Sequence, residues 1–477
     1  MTGEPVHRYE QLAAIIARMV ANGALRPGSR APSLRRLCTD HRVSLSTALQ
    51  AYQLLEDRGV LEARPRSGFY VAARSTGLLS TPGISRPPAT PKRISISATV
   101  QTLLDYAADP RLVPLGCAVP SAALLAGGRL DRFLARAARL EGARYNVYTT
   151  PRGDLRLRQE IARRALRWGQ GVSPEDIVVT CGCTEALLLA LRAVARPGDV
   201  IAIESPTYFG LLHSLEALGL RALELPTDPV AGVDCGALER ALKDKTIAAC
   251  LFSSCFSNPL GCTAPDDKKR ELLRLLAKHR IPLIEDDIYG DLHFGAARPK
   301  PFSAFDPAAN IIYCSSFSKT LAPGYRIGWI TSARYVQTIL EHKLASTLCG
   351  PALPQAALGE FLSCGGYDSH LRRLRRAFAD SMDRALRVIE QCFPPGTRVS
   401  RPAGGFVLWV ELPHEVDSRA LLEQTLRREI CFTPGDVFSA ARRYRHCLRL
   451  SCGHGWDERL EAGLRVVGEL ASDLSAR

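Results

Sequence analysis

Apolar residues recur along this chain with two different periods, and the change of period divides it. Tyr9, Leu12, Ile15, Ile16 and Met19 fall at helical spacing and predict an amphipathic helix that stops at Asn22-Gly23. After an Arg26-Pro27-Gly28 turn, Ser33 offers an N-cap for a short helix over residues 34–41. Ser44 or Ser46 can cap a third helix, with Ala48, Tyr52 and Leu55 inward at i, i+4 and i+7 and a stop at Arg58-Gly59. Residues 60–63 and 69–71 then read as two short strands around a basic tip, Arg64-Pro65-Arg66-Ser67-Gly68. Beyond about Pro114 the pattern changes to short continuous apolar runs, each followed by a helical stretch. Residues 177–180 precede a helix over 184–195, 200–203 precede 209–218, and 246–252 precede 266–279. Residues 282–284 run into the acidic Glu285-Asp286-Asp287. This alternation predicts an α/β fold with a large, mostly parallel sheet covered on both faces and ligands beyond the carboxyl ends of its strands.

Composition sets the domain plan. A chain of 477 residues suggests two or three domains, and 46% hydrophobic with 23% charged residues describes a globular protein. From Ala73 to about Arg93 the chain turns to Ser, Thr, Gly and Pro, which bury no core. The expected plan is a module over 1–72, a connector over 73–112 and a large domain over 113–477. Residues 1–93 hold 14 Lys and Arg against 6 Asp and Glu, a surplus of 8 within the net charge of +14. A basic N-terminal module points to a polyanion, with nucleic acid foremost. No apolar run approaches a bilayer span and the N-terminus does not read as a signal peptide, so a cytoplasmic protein is expected. The 15 cysteines are scattered, and Cys181-Gly-Cys183 has no second pair at zinc-site spacing. Buried free thiols and no metal are expected.

Three helices followed by a basic hairpin describe a winged helix-turn-helix, with the third helix entering the major groove and the wing touching the backbone or minor groove. The stretch resembles the GntR family of bacterial regulators through Gly28-Ser29-Arg30-Ala31-Pro32-Ser33-Leu34-Arg35-Arg36-Leu37, Val43-Ser44-Leu45-Ser46-Thr47, Tyr52, Leu55, Gly59 and Ser67-Gly68-Phe69-Tyr70-Val71. That resemblance implies DNA contacts at Ser33, Arg35, Ser44, Ser46, Thr47, Arg66 and Gly68. Leu45 departs from it, because arginine is common after the Val-Ser. Leucine offers only apolar contact, for instance to a thymine methyl, where arginine reads guanine bidentately. A different operator preference or weaker base readout follows, with DNA binding retained.

The chemistry gathers around Ser315-Ser316-Phe317-Ser318-Lys319-Thr320 and the Pro323-Gly324-Tyr325-Arg326 that follows. An apolar run ends there in hydroxyls, a lysine and an arginine, which sets an amine beside anion-binding groups. A desolvated lysine has a lowered pKa and can form a Schiff base, while hydroxyls and arginine hold a phosphate. These are the needs of pyridoxal 5'-phosphate (PLP). Gly182-Cys183-Thr184 opens a helix straight after a strand and offers phosphate-binding amides, with Ser316, Ser318 and Arg326 to complete the cradle. Asp286 is placed for the pyridine nitrogen, Asn258 and Tyr289 for the ring hydroxyl, and Tyr208 for a ring face.

In order, these stretches resemble fold-type I aminotransferases. Tyr148-Thr-Thr-Pro-Arg-Gly153, Ser205-Pro-Thr-Tyr208, Ser257-Asn258-Pro259-Leu-Gly261, Gly404-Gly405-Phe406-Val-Leu-Trp409 and Leu448-Arg449-Leu450-Ser451 add to the match, which covers roughly residues 115–470. The resemblance implies Lys319 as the Schiff-base lysine, Asp286 as partner of the pyridine nitrogen, Asn258 and Tyr289 at the ring oxygen and Tyr208 stacked. It implies Arg449 as clamp for an effector's α-carboxylate, and Tyr148 reaching the phosphate of a second subunit, hence a homodimer. A smaller α+β subdomain over 367–477 is expected to move. Cys183 stands where serine is common, which leaves the phosphate to backbone amides. Cys452-Gly453-His454 departs where an apolar or aromatic residue is usual.

A GntR-like winged helix joined by a linker to an aminotransferase-like domain is the arrangement of the MocR subfamily of regulators. The resemblance implies a domain-swapped homodimer that binds double-stranded operator DNA and senses PLP or an amino compound through the Lys319 Schiff base. The alternative is an active aminotransferase with an appended DNA-binding domain, since the catalytic set is whole. A third possibility, a regulator whose large domain binds something other than PLP, predicts a colourless protein.

Overall fold

Helical periodicity at the N-terminus becomes three helices, Arg8–Ala21, Leu34–His41 and Leu45–Asp57, in the computed structural model. The structure describes residues 7–26, 28–57, 60–64, 67–71, 79–243, 247–305 and 310–476. The chain divides into two units, Met1–Leu78 and Leu79–Arg477. In the first, Ser33 Oγ accepts from Arg36 N at 3.3 Å and Ser44 Oγ from Thr47 N at 3.2 Å, so Ser44 and not Ser46 starts the third helix. Leu12, Ile16, Leu37, Ala48, Tyr52 and Leu55 close the core. Strands Leu61–Arg64 and Gly68–Val71 form the hairpin in register Leu61↔Val71 to Arg64↔Gly68. Its outer edge is paired by the loop before the second helix, through Gly28 N to Val71 O and Ala31 N to Phe69 O, both 2.8 Å. The expected stop at Arg58-Gly59 and the tip residues Pro65 and Arg66 lie outside the described residues, as does Thr246.

The second unit is built on one eight-stranded sheet. Its order is Ile177–Cys181, Ile327–Thr331, Ile311–Ser316, Leu283–Asp286, Ile247–Ser253, Val200–Ser205, Arg221–Asp228 and Gly232–Val233. The five strands from Ile311–Ser316 to Arg221–Asp228 run parallel. Ile327–Thr331 is antiparallel to both its neighbours, and Gly232–Val233 to Arg221–Asp228. Alternation decides the two faces: Ile201 and Ile203 pack with helices Gly182–Val194 and Phe209–Ala217, while Val200 and Ala202 pack with Cys235–Lys243 and Asp266–His279.

A smaller α+β part follows the long helix Gly366–Cys392, with an antiparallel sheet in the order Arg398–Val399, Val407–Glu411, Cys447–Ser451, Thr433–Pro434. An early segment completes it, because Val113–Pro114 pairs in parallel with Ile430–Cys431.

The stretch expected as a connector is laid on this unit from Leu79 onward. Val399 N donates to Ser80 O at 2.9 Å, Thr227 N to Ser85 Oγ at 2.8 Å, and Lys92 and Ala222 exchange backbone bonds. Helix Ser97–Ala108 follows, with Val100 and Leu103 buried and Ser97 anchored to Glu216. Among the described residues no helix is long and apolar enough to cross a membrane.

Candidate functional site

Strand register brings the expected residues to one edge of the large sheet. Asp286 ends its strand opposite Cys314 and Ser253, and Ser316 pairs with Gly328, which pairs in turn with Thr180. The loops leaving these carboxyl ends therefore open on a common space. It is a cavity of about 250 Å³ lined by Cys183, Thr184, Tyr208, Asn258, Asp286, Tyr289, Ser316, Ser318, Lys319, Arg326 and Arg449. All eleven were expected at a cofactor or effector. Gly182 borders the same place as the first residue of helix Gly182–Val194. Tyr148 does not line it and is 84% exposed.

Lys319 points its amine at the segment after Val113–Pro114, donating to Ala118 O at 2.7 Å. Burial pulls that amine down to about 8. Burial and the neighbouring Asp287 push the Asp286 carboxyl up to about 6, so at neutral pH it is still mostly ionised. The other two acids of the triplet are committed elsewhere. Glu285 accepts from Phe302 N at 2.6 Å and Ser303 N at 3.0 Å, and Asp287 from Tyr313 Oη at 2.9 Å and from Arg298. Only Asp286 faces the cavity. Cys183 Sγ donates to Asp286 Oδ1 at 3.7 Å, and burial raises that thiol well above its ordinary range. Burial raises Tyr289, and the enclosed cavity wall raises Tyr208 although that residue is 37% exposed, so both are neutral phenols.

The anion cradle is carved out of backbone. Gly182 has φ +75°, and a Cβ there would run into Arg326 Nη2. A Cβ on Gly328 would meet Gly182 C at 2.5 Å, so the strand packs directly against the helix N-terminus. Arg326 crosses this corner and donates to Cys181 O at 3.1 Å. Ser318 Oγ is buried without a partner among the described residues.

Arg449 is 2% exposed and lies in the middle of strand Cys447–Ser451, opposite Trp409. It donates to Asn258 Oδ1 at 3.2 Å, Thr433 Oγ1 at 3.0 Å and Gly116 O, all neutral acceptors. Its Nε has no partner among the described residues. A buried guanidinium with no carboxylate partner is costly unless an anion arrives to meet it.

Sequence reasoning missed the segment of residues 114–119, of which Gly116, Cys117 and Ala118 line the cavity, and the helix that gives it Leu103, Leu104, Tyr106 and Ala107. One signal was available, since Ile96, Val100 and Leu103 repeat at helical spacing inside the supposed connector. In the structure Gly116 must be small because a Cβ would meet Phe432 C at 2.8 Å.

In the N-terminal unit, Ser33, Arg35, Ser44, Ser46 and Gly68 are exposed and Thr47 is half-buried, while Arg66 lies outside the described residues. Ser44 Oγ is 2.8 Å from both Ser46 Oγ and Thr47 Oγ1, forming a hydroxyl cluster at the start of the third helix.

Comparison with known proteins agrees with this division. Residues 123–467 match the family "Aminotransferase class I and II", and residues 8–71 match "Bacterial regulatory proteins, gntR family". Two HTH-type transcriptional regulators of Escherichia coli K12, both termed uncharacterized, align along the whole chain. YdcR is 37% identical over 98% of this chain and 99% of its own, and YjiR 36% over 97% and 98%. Among solved structures, LysN, an alpha-aminoadipate aminotransferase from Thermus thermophilus complexed with N-(5'-phosphopyridoxyl)-L-leucine, superposes with a TM-score of 0.75. It is 28% identical, covering 80% of this chain and 96% of LysN. The chain belongs to the aminotransferase class I and II family and, carrying a gntR-family module ahead of that domain, is a transcriptional regulator of the MocR type.

Proposed function

We propose that this regulator binds operator DNA through its N-terminal unit and senses pyridoxal phosphate, or an amino compound held with it, in the cavity at Lys319. Pyridoxal phosphate is the cofactor that membership of the aminotransferase family implies. The side chains fit it: a half-buried amine, one ionisable acid, neutral phenols, a backbone-lined anion corner and a buried hydroxyl without a partner share one space. When bound, the cofactor supplies an electrophilic carbonyl and an electron-accepting ring.

Each residue then has a physical task. Lys319, lowered to about 8, holds a larger neutral fraction near physiological pH than an ordinary lysine and offers that amine as the point of covalent attachment. Asp286 keeps a negative charge near the ring position where a proton must be held. Asn258 and Tyr289 offer uncharged donors, Tyr208 an aromatic face, and Thr184, Ser316, Ser318 and Arg326 a phosphate corner with the first amides of helix Gly182–Val194. Arg449 would meet the carboxylate of an amino-compound effector. That it has no acidic partner among the described residues is the observation that carries the sensing reading. The exposure of Tyr148 supports a homodimer in which that phenol reaches the neighbouring subunit's phosphate, and domain exchange between protomers belongs to the same proposal. DNA as the target puts the protein in the cytoplasm.

The test is a spectral titration of the full chain with amino acids, followed by borohydride reduction and peptide mapping. A yellow protein labelled at Lys319 is expected, and a label elsewhere would refute the assignment. Because eleven of the expected residues line the cavity at Lys319, a working aminotransferase is the second reading. Robust transamination across a panel of amino donors and keto acids, without sequence-specific DNA binding, would favour it.

A further inference from the structure

The third helix of the N-terminal unit presents an unusual face for a base reader. Advancing about 100° per residue, its buried Ala48, Ala51, Tyr52 and Leu55 occupy one side. The exposed residues of its first two and a half turns, Leu45, Ser46, Leu49, Gln50 and Gln53, lie within an arc of about 140° on the other. Leu45 is 58% exposed and Leu49 38%. No charged residue lies on the helix before Glu56, about 16 Å along the axis from Leu45. The cations sit outside it: Arg35, Arg36 and Arg42 are exposed on and just after helix Leu34–His41.

We infer that this face reads an A·T-rich half-site in the major groove, with Leu45 and Leu49 packed on thymine methyl groups and Gln50 paired to adenine. This rests on the DNA-binding reading and goes beyond it by naming what is read. In the major groove thymine is marked by its C5 methyl, adenine by N6 and N7 that pair with a glutamine amide, and guanine by O6 and N7 that select arginine or lysine. The first turns of this helix carry two exposed leucines and glutamines and no arginine or lysine, so the groups that read thymine and adenine are present and the guanine reader is absent. The arginines on the flanking helix and the Ser44, Ser46 and Thr47 hydroxyls at the helix N-terminus suit phosphate, which positions the module and carries no sequence information. The basic surplus of residues 1–93 and the gntR-family match make DNA the occupant of this face, not another protein.

The experiment is selection of random-sequence duplexes by the full chain, then replacement of each thymidine in the selected half-site by deoxyuridine, which removes only the methyl. Half-sites rich in A·T are expected. Loss of a contacted methyl should weaken binding about fourfold. Leu45→Ala and Leu49→Ala should each bind the thymidine and deoxyuridine duplexes equally at their own position. Both side chains are exposed, so neither change removes core. A G·C-rich selected half-site, or deoxyuridine duplexes bound as tightly as thymidine ones, overturns the inference while leaving DNA binding intact. Failure to select any duplex overturns the DNA-binding reading together with it.

Discussion

Lys319 and Asp286 titrate on opposite sides of neutrality, and that sets how the cavity responds to pH. The lysine loses its proton near 8 instead of 10.5, so its nucleophilic form grows as pH rises through 8. Covalent capture of pyridoxal phosphate by the cofactor-free protein should accelerate as pH rises through 8 and level off about one unit higher, as stopped-flow absorbance would record. An inflection near 10 would mean an exposed amine. Asp286 is ionised only above about 6, so cofactor affinity should fall as pH drops through 6, and Asp286→Asn should abolish that fall. Gly182→Ala puts a side chain at φ +75° and against Arg326. It should lower stability by about 1–2 kcal/mol and weaken cofactor binding, read by melting temperature and titration. Arg449→Gln should keep the colour while weakening the spectral response to amino acids at least about tenfold. Most of these positions were legible in the sequence because each ends an apolar strand or opens a helix, and parallel strands deliver their carboxyl ends to one edge. The contacts of the Lys319 amine and the wholly neutral hydrogen-bond partners of Arg449 were not. Lys319 meets Ala118 across 201 positions and Arg449 meets Gly116 across 333.

Elements were legible where their own residues decide them. The continuous apolar run over residues 200–203 and capping by Ser33 and Ser44 are local, and the strands and helices formed where those signals stand. The stretch after Leu79 was not legible, because Ser, Pro and Gly composition describes a connector whether or not a distant surface receives it. Here Arg398–Val399 and Arg221–Asp228 receive it through backbone bonds. Helix Ser97–Ala108 then supplies a wall of the cavity. A fragment of residues 79–477 should therefore melt close to the full chain's large unit and still bind cofactor. A fragment starting at 94 loses the Ser80, Ser85 and Lys92 contacts and should melt several degrees lower. Equal melting temperatures would show that this segment contributes nothing. Val113–Pro114 was illegible for the same reason, since its partner Ile430–Cys431 lies over 300 positions downstream.

For the molecule as a whole, the gntR-family module and the cavity belong to different units, and regulation requires that they be thermodynamically linked. A ligand changes DNA affinity only if it binds two conformations of the protein unequally, and couplings of this kind are typically about 5- to 150-fold. The most direct measurement is the affinity of the full chain for its selected duplex, at fixed salt, with and without pyridoxal phosphate and across a titration of amino acids. A shift of at least about fivefold is expected in the wild type and none in Lys319→Ala. DNA affinity that ignores both cofactor and amino compounds, in a protein whose Lys319 is nonetheless loaded, would contradict that expectation.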